Sequence, residues 1–214
     1  MVKPPNPPPV SDEKVRALLE RHKCPVPFHE VRTRFLGNIA TPVMAASPIK
    51  IVQSLWGGEL PPFDSVDEAN ELLGVLVMGL WNRLTRHQNR TAPFRLTRVD
   101  VKSTSDGISA LALMRRQELD GFVDGLFGDE KVLDLPERAD RSLSLLAEMR
   151  ALFAGVAEFT STNSGRQEDL KTTLNHLRMM TGHAEHEIHS VIIACTLARR
   201  QSLASTAATK PTFH

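Results

Sequence analysis

The chain has 214 residues, of which 26 are basic and 25 acidic, giving a formal net charge of +1, with 41% hydrophobic and 24% charged residues. This length builds one good-sized core or two small ones without disulfide staples, and the balanced charge excludes whole-chain attraction to nucleic acid, membrane or polyanions. Tyrosine is absent and aromatics make up only 5%, which disfavours a base-stacking platform, an aromatic sugar cleft or any reaction that needs a phenolic acid.

The first ten residues contain Pro4, Pro5, Pro7, Pro8 and Pro9 and no apolar signal core. Proline lacks an amide donor and favours extended backbone, so residues 1–10 are expected to be a tail, with a PxxP-type ligand as the functional alternative. From Ser11 onward apolar residues recur with the helical period and almost nowhere alternate as in a strand. The expected fold is all-α: a single-domain bundle of about eight helices over residues 11–201, followed by a small, polar, disordered tail over 202–214.

Ser11 caps a first helix with Asp12 and Glu13 in its opening turn and Val15, Leu18 and Leu19 on one face, broken by Pro25 and Pro27. Phe28 to Ile39 follows, with Val31, Phe35 and Ile39 at four-residue steps. Pro48 opens a short helix, Ile49 to Trp56, that Gly57 and Gly58 close. Ser65-Val-Asp-Glu68 reads as a capping box, the serine hydroxyl taking an early amide and the glutamate reaching back to the serine amide. Two apolar stripes run from it, one through Ala69, Leu72, Leu73, Leu76, Leu80 and Leu84, the other through Val75, Met78 and Trp81. A helix apolar on two sides belongs in the middle of a bundle, with Gly74 and Gly79 as close-packing positions.

Residues 88–106 are the least helical stretch and read as a short strand or an extended connector. Helical patterning resumes from Ile108 to Leu126. It continues after a cap at Asp134-Leu-Pro-Glu137 through Leu146, Met149, Phe153 and Val156, then after Ser164-Gly-Arg-Gln167 through Leu170, Leu174 and Leu177. A last helix runs from His183 to Arg200 through Ile188, Val191, Ile192 and Cys195. Cys24 and Cys195 lie far apart in no metal-ligand spacing, as expected of two reduced, mostly buried thiols in a cytoplasmic protein. No stretch has the roughly 18 uninterrupted apolar residues of a membrane span.

The segment Phe63 to Asn82 (FDSVDEANELLGVLVMGLWN) resembles the central helix of the YecA/YgfB-like family of uncharacterised bacterial proteins. The surrounding order is similar too: an N-terminal capped helix, a helix holding Phe35-Leu36, the proline-led segment at Pro48, and Gly121-Phe122 followed by Gly125. The likeness covers roughly residues 11–160. Arg34, Ile51 and Glu118 stand where the family usually has glycine, tryptophan and tryptophan. The resemblance implies a helical fold and no assigned reaction. The cysteine-rich zinc module that ends some members has no counterpart after Cys195.

Three groups of residues carry candidate chemistry. His183, His186 and His189, in His183-Ala-Glu-His-Glu-Ile-His189, are spaced by three residues and suit zinc with Glu185 or Glu187, His176 on the preceding helix being a further ligand. The spacing is one short of HExxH, and the alternative is a solvated face of weak i,i+4 pairs. Arg83, Arg86 and Arg90, with Arg95 and Arg98, His87 nearby, and the pairs Arg115-Arg116 and Arg199-Arg200, offer phosphate contacts, although helix ends alone account for such clusters. Trp56 and Phe122 are candidate interface aromatics.

No catalytic residues are assigned, because GxSxG, GxxxxGK[ST] and GxGxxG are missing and carboxylates pair only as adjacent, divergent doublets. The expected function is a non-enzymatic helical protein that binds an unidentified protein partner or itself as a homodimer, without membrane or cofactor. The alternatives are a regulator contacting nucleic acid through the arginine face and a metal-binding protein or metal-dependent enzyme using His183 to His189.

Overall fold

The computed structural model describes residues 10–43, 47–162 and 167–208. Among the described residues there are seven helices and no strand, so the all-α expectation holds with one helix fewer than about eight. The proline-rich segment 1–9, the cap at 164–166 and the end of the chain at 209–214 lie outside the described residues.

Helix α1 (Asp12–Arg21) is capped by Ser11, whose hydroxyl accepts from the Lys14 amide, and buries Val15, Leu18 and Leu19. Helix α2 (Phe28–Ala40) starts after Pro27 and is buried along most of its length. Helix α3 (Pro48–Ser54) begins with proline at its first position behind a Ser47 cap, and Gly57 and Gly58 end the turn after it at positive φ, 81° and 111°.

Helix α4 opens as Val66–Leu73 and runs without a break into π winding over Gly74–Trp81, then Asn82–Leu84 and a 3-10 turn at Thr85–Gln88. The capping box is offset: the Ser65 hydroxyl takes the Glu68 amide, but the Glu68 carboxylate accepts from Asp64, not from Ser65. The wider π turn holds Leu72, Leu76, Leu80 and Leu84 on one buried face. It also turns Met78, 70% exposed, away from the second stripe, while Trp81 stays partly buried and donates to Asn38. Gly79 is a packing position, since a Cβ there would sit 2.5 Å from the Val10 side chain; Gly74 faces open space and is not.

The connector from 89 to 104 turns at 89–92 and then runs without regular secondary structure. Its Phe94 and Leu96 enter the core, and its polar groups are met by side chains from two helices, Arg115 and Glu118 buried and Glu185 partly so. Glu118 accepts from the Thr97 amide (2.7 Å), Arg115 donates to the Thr97 carbonyl (2.7 Å), and Glu185 accepts from the Leu96 amide (3.0 Å). Arg115 and Glu118 pair with each other while almost wholly buried.

Helix α5 (Ser105–Phe127) packs on α2 more closely than side chains would allow. A Cβ at Gly125 would lie 1.8 Å from the Arg34 carbonyl, and one at Gly37 would lie 2.1 Å from that of Phe122. Helix α6 (Glu137–Thr162) buries Ala139, Leu146 and Phe153 along one stripe. Helix α7 (Gln167–Ala208) joins what the sequence reads as two helices. Gly182 does not break it, because the flanking turns are anchored by buried Leu177, Ala184 and Ile188 and by the Thr181 hydroxyl on the Leu177 carbonyl. It also extends seven residues into the segment expected to be a tail at 202, although residues 201–205 are exposed. Arg199 fixes this end by donating to the Ile39 and Thr41 carbonyls, both at 3.2 Å, which the end of α2 leaves without helical partners. No described helix is long and apolar enough to cross a membrane.

Candidate functional site

The 3-10 turn at the end of α4 and the loop to Ala92 lie against one face of α7, the face bearing His189, Ile193, Thr196, Leu197 and Arg200 at helical spacing. Between them is a pocket of about 570 Å³ lined by Arg86, Gln88, Asn89, Arg90, Thr196 and Arg200, among others, and by no acidic residue. The guanidinium groups of Arg86, Arg90 and Arg200 have no carboxylate partner among the described residues. Thr196 is 3% exposed and its hydroxyl is buried without a hydrogen-bond partner, which is unusual because a helical threonine ordinarily bonds the carbonyl one turn back.

His87 organises the arginine side of the pocket. Its Nδ1 meets the Ala92 carbonyl at 2.7 Å, so that nitrogen carries the proton, and its Nε2 accepts from Arg86 Nε at 3.4 Å. Burial holds the imidazole below its ordinary range against the pull of the Ala92 carbonyl, and Arg86, Arg32 and His189 push the same way as burial. A neutral ring is therefore the acceptor that keeps Arg86 in place. Its edge also meets the Phe94 ring, centroids 5.2 Å apart.

The sequence candidates separate here. Arg86 and Arg90 share the pocket, but Arg83 does not belong with them: its guanidinium is bound to Asp12 and to the Val10 carbonyl, fastening the start of α1 to α4. His183 and His186 are exposed, whereas His189 is half-buried. Burial lowers the His189 pKa against the opposing Arg90 main chain, helped by His186 and Arg95. Glu185 is already engaged by Arg95 and Leu96. His176 lies on the same helix as His183, seven residues and so about 10 Å along the axis, beyond the reach of one shared ion. Among the described residues no three His, Cys, Asp or Glu side chains come together as a metal group.

Phe122 is fully buried and offers no surface, because Gly121 and Gly125 draw α2 over it. Trp56 is half-buried and its indole donates to the His22 carbonyl at 2.9 Å, tying α3 to the end of α1. The exposed apolar surface is elsewhere. Leu145, Leu152 and Phe159, 46%, 57% and 65% exposed, recur every seven residues along α6. Leu152 and Phe159 flank a groove of about 380 Å³ formed with Gly155, Val156 and Leu170. Hydrophobic periodicity misses this stripe, because it cannot distinguish apolar residues facing the core from apolar residues facing solvent.

A third cleft, about 420 Å³ between α2, α3 and the end of α5, contains Arg34, Lys50, Asp124 and Asp129. Arg34 pairs with Asp124 at 2.9 Å and Lys50 with Asp129 at 3.6 Å, and Glu130 adds a further acid, so its cations are already met by acids of the same cleft. Neither cysteine is placed as a nucleophile: Cys24 is half-buried, and burial pushes the Cys195 thiol up to about 11. Compared with models of known families, with curated proteins and with solved structures, the chain finds no match.

Proposed function

We propose that the protein acts by protein–protein interaction, as a non-enzymatic helical module that pairs with a second copy of itself through α6. The observation that carries this reading is the heptad recurrence of exposed Leu145, Leu152 and Phe159 on the solvent-facing side of a helix whose opposite stripe, Ala139, Leu146 and Phe153, packs into the bundle. A seven-residue apolar repeat is the seam along which two helices associate. An antiparallel pairing centred on Leu152 is self-complementary, setting Leu145 of each copy opposite Phe159 of the other, as a two-fold interface demands. The resemblance to a family without an assigned reaction, and a Cys195 thiol held far from its reactive form, fit a binding role.

The direct test is a cysteine at the two-fold position. Leu152→Cys is expected to give a disulfide-linked dimer under mild oxidation, because the geometry sets the two sulfurs against each other. Leu113→Cys, 45% exposed on α5, is the control expected to stay monomeric under the same treatment. Equal cross-linking of both variants, or of neither, overturns the α6 pairing.

A further inference from the structure

We propose that the pocket between the α4 end and α7 binds a phosphate group, taken either as free orthophosphate or as the monoester of a small organic molecule. The lining arginines and the threonine hydroxyl form a donor set with no acid to neutralise it. Arg86, Arg90 and Arg200 supply forked donors matched to phosphate oxygens, and their combined charge exceeds what a single carboxylate ligand would balance. Thr196 is the second, independent observation. A buried hydroxyl that leaves its helix carbonyl and finds no partner is a donor held for something absent from the chain.

Room and polarity set the ligand class. At about 570 Å³ the pocket is larger than a phosphate ion needs and falls in the range of small-molecule sites. Ala92, Ile193 and Leu197 give it an apolar side against which an organic moiety packs. The neutral His87 accepts from Arg86 Nε and so restrains the guanidinium before any ligand arrives, which lowers the entropic cost of binding. Arg90 is placed by a loop whose start is fixed by the Ala92 amide on the Asn89 carbonyl, 3.1 Å.

The test is calorimetric titration of the full chain with inorganic phosphate, pyrophosphate, adenosine monophosphate and a 20-nucleotide single strand, at fixed ionic strength, with melting temperature followed in parallel. Saturable binding of phosphate or the monoester is expected, weakened roughly tenfold by Arg90→Gln and by Arg200→Gln. Thr196→Val is expected to weaken binding roughly fivefold while leaving the ligand-free melting temperature equal or higher, since it removes an unpaired buried hydroxyl. Arg141→Gln, on the exposed side of α6, leaves the titration unchanged. Preference for adenosine monophosphate over orthophosphate identifies the organic ester as ligand, and the reverse identifies the free ion. No saturable binding of any of these at millimolar concentration overturns the proposal, as does binding indifferent to the arginine variants. Binding of the oligonucleotide alone overturns it in favour of a nucleic-acid face. None of these outcomes depends on the α6 pairing.

Discussion

Arg115 and Glu118, one turn apart on α5, form a buried ion pair that also holds both main-chain groups of Thr97. The pair explains how a non-helical connector runs through a helical core. Irregular backbone between helices has no ladder to satisfy it, and a buried amide or carbonyl without a partner costs about 1–3 kcal/mol. The two charges meet those groups, and Arg115 Nε reaches Thr181 on α7 at 3.2 Å, so three elements share one polar knot.

Removing one member of that knot leaves the other charge buried alone. Glu118→Gln is expected to lower unfolding free energy by about 3 kcal/mol, a loss typical of a broken buried pair. Urea unfolding followed by circular dichroism reads it directly. A loss below about 1 kcal/mol would mean that the pair is hydrated and not part of the core.

The α2–α5 contact makes a second prediction through glycine. Gly125→Ala puts a methyl 1.8 Å from the Arg34 carbonyl, with backbone on both sides and no flexible side chain to yield. It is expected to destabilise by more than about 3 kcal/mol or to prevent folding, as overpacking at rigid backbone does. Gly182→Ala, with nothing within 4 Å, is expected to stabilise α7 by about 0.5–1 kcal/mol. Equal melting temperatures for the two variants would refute the close approach.

Stability is expected to depend on pH through His87 and His189. Both have folded pKa values below the ordinary 6.5, burial being the largest cause for each. As pH falls, the unfolded chain therefore takes up protons first. Their contribution is complete above 6.5 and is lost as pH drops from there through the folded values, so the melting temperature declines as pH falls below about 6.5. His87→Gln is expected to flatten part of that decline. A melting temperature that rises over the same interval would contradict the burial of both rings.

The helices were legible because caps and stripes are local. Ser11, Pro48 and Ser65 set helix starts, and leucines at helical spacing mark the faces turned inward. What escaped depends on neighbours. The sequence reads one helix through Leu177 and another from His183, yet packing on both sides carries a single helix through the residues between. Met78 faces solvent because the π winding shifts the register, which a fixed helical period does not anticipate. The arginine cluster was visible as charge, but which members stay free was not. Arg83 is taken by Asp12, seventy-one residues earlier, while Arg200 joins Arg86 and Arg90 from the far end of the chain. Phe122 illustrates the same limit, since its burial is decided by glycines that let another helix close over it.

The pairing of α6 with a second copy is tested most directly by sedimentation equilibrium of the wild-type chain beside Leu152→Asp. The wild type is expected to sediment at twice the chain mass at micromolar concentration, and Leu152→Asp at the monomer mass with an unchanged circular dichroism spectrum, because a charge is placed on the apolar seam without touching the core. A wild-type chain that stays monomeric up to about 100 µM, or a Leu152→Asp variant that dimerises as well as the wild type, would contradict it.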